Sequence, residues 1–272
     1  HGGVVDDLLV YRFADHYMTV VNASNLDKDY EWLKSHLEGD VQLKNVSDEI
    51  TLLAIQGPRA IELVNKLTDN RVDDIEYYHF REGKAAGATA IISRTGYTGE
   101  IGFELFIPSQ DSDVLWEAVF EAGTPLGLKP IGLGARDSLR LEVAYCLYGN
   151  DIDQTTNPLE AGLGWIFKGK KKGGFIGLDA SNQAREAGLT RRLVGFNLEG
   201  KSIARHNAEV FAAGAKVGYV TSGGYSPMLD KVVGLAYVNK PYDVIGGSLQ
   251  IDVRGKMISA VIVEPPFYQR PE

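Results

Sequence analysis

Apolar and polar positions alternate with period two over Ile101-Gly102-Phe103-Glu104-Leu105-Phe106, which predicts a strand. Ile101, Phe103 and Leu105 then share one face, and Gly102, Glu104 and Phe106 the other. The preceding Ser93-Arg94-Thr95-Gly96-Tyr97-Thr98-Gly99-Glu100 reads as a turn. In it Gly96 and Gly99 supply positive φ and close backbone approach, and Thr95 and Thr98 bond their own loop. Glu104 therefore lies between apolar neighbours behind a glycine turn, where an unpaired carboxylate is costly. Either an arginine of the chain or the donors of a ligand satisfy it, and the pattern leaves both open.

The same reading runs along the rest of the chain. Residues 4–11 are β-branched and apolar and predict a strand, with Asp6 and Asp7 sent to opposite faces. Asp7 shares its face with Val5, Leu9 and Tyr11, where desolvation raises a carboxyl pKa; a solvated strand end is the plainer alternative. Residues 16–21 form the partner strand of a hairpin and deliver Asn22, whose plain role is an Asx turn before a helix over 27–38. A strand over 49–55 follows, then a helix opened by Pro58 with Ile61, Val64 and Leu67 inward. The aromatic run Tyr77-Tyr78-His79-Phe80 reads as core, with His79 a packing histidine, ahead of a strand over 88–93.

Beyond Pro108, Leu115, Ala118 and Val119 mark one stripe of a helix. The next helix is apolar on most faces, runs from Ala135 to about Tyr148 and stops at Gly149, which makes it central. Arg136 falls in its first turn, where the helix dipole disfavours a cation, so a carboxylate should hold it. Asp137, Glu104, Glu142 or a ligand can supply that carboxylate. Residues 168–172 are lysine-rich and glycine-flanked: a solvated loop, or a docking patch for an acidic carrier protein. A short polar helix spans 179–187. From Arg192 the pattern turns to short strands with glycine turns, at 193–198, 217–221, 232–238, 249–253 and 257–263. The fold class is α+β: a mixed region over residues 1–188, then a small β-barrel-like domain over 189–272.

Composition narrows the chemistry. A net charge of −8 over 272 residues argues against a broad nucleic-acid surface. No apolar run approaches the roughly 18 residues that cross a bilayer, so no membrane partner is expected. The single Cys146 sits among apolar neighbours and reads as a buried thiol, which excludes an intrachain disulfide and weakly favours a reducing compartment. No GxGxxG, P-loop or zinc-ligand spacing occurs, so nucleotide hydrolysis and metal catalysis have no support.

RTGYTGEIGFEL at 94–105 resembles the glycine cleavage T-protein, or aminomethyltransferase, family. The resemblance also takes in GGVVDDLLVY at 2–11, VVNASNLDKD at 20–29, AIQGP at 54–58 and GLGARDSLRLE at 132–142. It continues through LYGNDID at 147–153, NPLEAGLGW at 157–165, TSGGYSP at 221–227 and PFY at 266–268, so it spans the chain in order. It implies a folate-binding catalytic region and a tetrahydrofolate-dependent aminomethyl transfer from the lipoyl arm of a carrier H-protein, releasing ammonia. It implies Asp7 as the catalytic carboxylate, and Val20, Asn22, Tyr77, Tyr97, Glu104, Arg136 and Tyr268 as folate-site residues. Glu104 would pair with adjacent N–H donors of the pterin, while Arg136 anchors the cofactor or holds Glu104. Arg270 stays open, because Gln269 separates it from the tyrosine.

The family carries a substantial segment upstream of His1, so a fragment is expected. The bacterial cytoplasm is the expected location, or the mitochondrial matrix in a eukaryote. Two alternatives remain. One is another enzyme of the same fold, such as a folate-dependent demethylase or the folate domain of a glycine-derivative oxidase. The other is a non-catalytic folate-binding accessory protein for iron–sulfur or RNA-modification work. That last branch should show a cysteine in a KGCYxGQ-like loop, and Lys172-Gly173-Gly174-Phe175-Ile176-Gly177 has none.

Overall fold

The computed structural model describes residues 2–168 and 171–269. Contacts group the chain into two units, one made of the residues up to Val41 with Leu141–Tyr268, the other of Gln42–Arg140.

The first unit opens with an antiparallel hairpin of β1 (Leu9–Arg12) and β2 (Tyr17–Val20), paired from Leu9 with Val20 to Arg12 with Tyr17. The strand starts at Leu9 and not at Val4, which corrects the sequence reading. Val4 gives its N–H to the carbonyls of Asp153 and Thr156, both at 3.1 Å. Asp6 and Asp7 thus lie in a lead-in outside the ladder, and no strand pleat separates them. A single 3₁₀ turn from Ala23 to Asn25 leads into α1 (Leu26–Ser35).

The second unit is a four-stranded antiparallel sheet backed by helices. Its elements are β3 (Ile50–Gln56), α2 (Ala60–Leu67), β4 (Phe80–Ala85), β5 (Ala88–Ser93), β6 (Gly102–Pro108) and α3 (Ser112–Gly123). The strand order is β3-β6-β5-β4. One face of β6 sends Phe103, Leu105 and Ile107 into a core with Val64 of α2 and Leu115 of α3, as the alternation predicts. Fully burying a side chain of this kind contributes about 1.5–3 kcal/mol. Glu104 is on the other face, opposite Ala54 of β3 and Ser93 of β5.

One expectation fails here, and one strand lies outside the sequence reading. The aromatic run is not core: Tyr77 is 51% exposed and Tyr78 57%, and His79 is exposed too. The strand β4 that follows has only Ala85 fully buried, so its charged sequence carries no apolar alternation to read.

The helix α4 (Leu133–Glu142) ends six residues before Tyr148, the predicted end. Ala144 adopts φ +57°, a left-handed residue that no glycine announces. The Glu142 carbonyl takes the backbone N–H of Tyr268 at 2.8 Å. Nor is α4 central at its start, since Leu133 is 83% exposed.

In the first unit α5 (Leu178–Ala187) precedes six strands: β7 (Arg191–Leu198), β8 (Glu209–Ala212), β9 (Ala215–Ser226), β10 (Lys231–Asn239), β11 (Ser248–Val253) and β12 (Lys256–Val263). They close an antiparallel barrel in the order β10-β7-β12-β11-β8-β9. Phe196, Val210, Val220, Ala236 and Ile251 fill it, each fully buried. Closure removes the exposed edges that six short strands would otherwise present. Cys146 is buried beside Ile152 and Ala161, as its setting predicts.

Candidate active site

The lead-in segment of the first unit holds two adjacent carboxylates in unlike surroundings. Asp6 accepts from the Asn22 backbone N–H at 3.3 Å, from Asn22 Nδ2 at 2.9 Å and from Asn25 Nδ2 at 2.8 Å. Burial alone would raise the Asp6 pKa. Bonds from Asp29, Asn22, the Asp7 backbone and Asn25 outweigh it and hold the carboxyl below its ordinary value. Asp7 has no such set. Its side chain is reachable by solvent, yet enough protein surrounds it that desolvation, and then the charge of Asp6, lift its pKa.

Asn22 caps nothing with its side chain, so the Asx-turn role is excluded. Its Nδ2 instead bridges Asp6 Oδ1 and, at 3.0 Å, the carbonyl of Asp7. One amide therefore fixes both residues. Val20, half-buried at the end of β2, delivers Asn22 to that place.

In the second unit Thr95 Oγ1 donates to Glu104 Oε2, and Ser93 Oγ lies 2.9 Å from the same hydroxyl. Among the described residues no arginine pairs with Glu104, which removes the ion-pair reading. Arg136 stacks its guanidinium over the Tyr97 ring at 4.6 Å. The three carboxylates proposed for it are engaged elsewhere: Asp137 with Arg140 at 2.7 Å, Glu104 with Thr95, and Glu142 with Ser226 Oγ at 2.6 Å. Tyr77 packs against Tyr78 with ring centroids 4.4 Å apart.

The turn before β6 is organised by Gln56, which sequence reasoning missed. Its Nε2 donates to the carbonyls of Thr95 at 3.1 Å and Phe103 at 3.4 Å, and its Oε1 accepts from Thr98 at 3.1 Å. A Cβ on Gly102 would lie 2.2 Å from the Gln56 side chain, and one on Gly96 1.9 Å. Gly99 has φ +74°, while Gly96 is needed for this close approach and not for a positive φ. Gly102→Ala should cost about 1–3 kcal/mol by expelling Gln56. In denaturant titrations the Gln56→Ala/Gly102→Ala double variant should lose clearly less than the sum of the single losses. Additive losses would remove Gln56 as the reason for the glycine.

At the other end of the first unit, Phe267 packs with Leu141, Val233 and Leu235, and Tyr268 hangs from Glu142 by its backbone N–H. Arg270 lies outside the described residues. So do Gly169 and Lys170 of the lysine-rich loop, whose described lysines are exposed. Asn25 is a further residue that sequence reasoning did not single out. Its spacing of three from Asn22, itself fifteen residues beyond Asp7, was the available signal.

Residues 1–171 match the family model described as the GCVT N-terminal domain, and residues 191–269 match the glycine cleavage T-protein C-terminal barrel domain. The chain belongs to the aminomethyltransferase family. An aminomethyltransferase of Chloroherpeton thalassium is 50% identical over 99% of the chain and 75% of its own length. One from Caldanaerobacter subterraneus subsp. tengcongensis is 48% identical over 99% of the chain and 73% of its length. The crystal structure of glycine cleavage system aminomethyltransferase T from Bartonella henselae superposes with a TM-score of 0.88 at 32% identity. That match covers 98% of this chain and 73% of the other. The chain is thus a transferase of one-carbon metabolism, acting in the glycine cleavage system. The α+β fold with its barrel is the fold of this family. Among the described residues no group of three or more His, Cys, Asp or Glu side chains could hold a metal ion, and no helix is long and apolar enough to cross a membrane.

Proposed function

We propose that this aminomethyltransferase moves the aminomethyl carbon from the lipoyl arm of a carrier H-protein to tetrahydrofolate. The S-aminomethyl carbon becomes the methylene bridge between N5 and N10 of folate, while its C–N and C–S bonds break. Of the two folate N–H protons, one leaves with ammonia and one with the dihydrolipoyl thiol, so the balance needs no redox partner. The enzyme's work is then positioning and proton handling.

The observation that carries this reading is the unequal Asp6–Asp7 pair. Asp6 is ringed by donors and Asp7 is left with a raised pKa, the state suited to exchanging a proton at the reacting nitrogens. Val20, Asn22, Tyr77, Tyr97, Glu104, Arg136 and Tyr268 are the residues assigned to folate in this reading. Glu104 suits the pterin because Thr95 takes only its Oε2, and a carboxylate matches adjacent N–H donors as a fork. Arg136 suits an electronegative part of folate, because Tyr97 presents a ring to it and, among the described residues, no carboxylate pairs with it. Catalysis falls to residues 1–188 in this reading, with the barrel of 189–272 as its companion domain. The bacterial relatives favour the cytoplasm.

The test is ammonia release from aminomethylated carrier protein in the presence of tetrahydrofolate. One ammonia per methylene-folate is expected. Equal release without folate, or activity on free N-methyl glycine derivatives in place of the carrier, would favour another reaction. Tyr268 has its own check: removing residues 268–272 should weaken folate binding measured by calorimetry, and unchanged affinity would exclude the tyrosine.

A further inference from the structure

Asp29 lies in α1 and is only 2% exposed, yet among the described residues no donor reaches its Oδ2, and the Asp6 carboxylate lies beside it. Its Oδ1 takes Lys28 Nζ at 2.7 Å. Lys28 is itself shared: its ammonium also donates to the Val5 carbonyl, sits 3.4 Å from the Tyr148 hydroxyl and lies over that ring. Tyr148 donates to the Val4 carbonyl at 3.2 Å. The charged and titratable groups of this cluster are therefore Asp29, Asp6 and Asp7 against Lys28, with Tyr148 and, beyond it, Asp153. Carboxylates outnumber the cation. An ionised Asp29 would leave a sealed oxygen without a donor, next to a second carboxylate.

We propose that Asp29 and Asp6 share one proton, carried on the buried Oδ2 of Asp29 and donated to the Asp6 carboxylate, and that this pair positions the neighbouring Asp7. A single proton then satisfies the orphaned oxygen and relieves the like-charge contact. Asp6 is held by Asn22, Asn25 and Asp29 together, and Asn22 also grips the Asp7 backbone. Burial first, and then the Asp6 carboxylate, push Asp29 up to about 6, with Lys28 opposing. The effect on turnover rests on the reading of Asp7 as the acid–base group, whereas the proton sharing does not.

Asp29→Asn supplies a side chain that is neutral at every pH and can still donate to Asp6. Because the folded-state pKa of Asp29 is raised, its stabilising proton is fully present below the unfolded value near 3.8 and is lost as pH rises through about 6. Relative to wild type, the folding equilibrium of intact Asp29→Asn should therefore improve about tenfold between pH ~5 and pH ~8 in denaturant titrations. A simple Lys28–Asp29 ion pair keeps Asp29 ionised across this window and predicts a variant that is less stable by the same amount at both pH values, and that flat result would overturn the proposal. In steady-state assays Asp29→Leu, which cannot donate, should lower kcat about tenfold or more with KM for folate little changed, while Asp29→Asn retains most of the rate. Equal turnover in all three proteins would remove the positioning role. If Asp29→Leu fails to fold, the stability profile of Asp29→Asn decides alone.

Discussion

Replacing Asp7 by asparagine should cut turnover by about 10²- to 10⁴-fold while folate still binds. The amide keeps the shape of the carboxylate and the backbone carbonyl keeps its bond from Asn22 Nδ2, so the site geometry survives. What is lost is a proton-exchanging group whose pKa is lifted by desolvation and by Asp6. Asp6→Asn should behave differently. It keeps one oxygen for the Nδ2 groups of Asn22 and Asn25, but it turns the oxygen that accepts from the Asn22 backbone N–H into a donor and takes the charge out of all three bonds, so stability falls first. It also removes a negative charge beside Asp7, whose pKa should then drop toward the ordinary carboxylate value. Steady-state turnover and calorimetric folate binding on both variants separate these effects. Abolished turnover in Asp6→Asn with intact turnover in Asp7→Asn would exchange the two roles.

Glu104→Gln should weaken folate binding by about 10- to 100-fold, from the loss of charge-assisted hydrogen bonds worth about 1.5–3 kcal/mol. Stability should change little, because the amide oxygen can still accept from Thr95 and no arginine among the described residues loses its partner. Calorimetry with folate and a thermal melt on the same sample check both halves. Unchanged affinity with a large fall in melting temperature would make Glu104 a purely structural residue.

Much of the framework was legible because it rests on local periodicity. The alternation over 101–106 gave β6 its register, and with it the face that carries Glu104. Short apolar runs between glycines marked five of the six barrel strands. The sixth, β8, is four residues long and too brief to leave a pattern. What failed was set by contacts distant in sequence. Asp6 and Asp7 were assigned unlike environments from the pleat of a strand that does not reach them. Their pKa values do move in opposite directions, but the lowering at Asp6 comes from Asp29 and then from the donors of Asn22 and Asn25, sixteen and nineteen residues away, and not from a pleat. Gln56 reaches Thr98 across forty-two residues, and no local rule assigns it to that turn. The end of α4 was misplaced because Ala144 takes a left-handed φ that its sequence does not advertise. The aromatic run misled for the opposite reason: hydrophobic side chains usually pack, but Tyr77 and Tyr78 stand exposed.

The division of labour between the two adjacent aspartates is the centre of this account, and carboxyl ¹³C titration by NMR reads it without any substrate. Asp7 should titrate above the ordinary aspartate value and Asp6 below it, with Asp29 as a third group near 6. In Asp6→Asn the Asp7 curve should move to lower pH. An Asp7 that titrates below Asp6 in the wild-type protein would contradict the assignment of the proton-exchanging role.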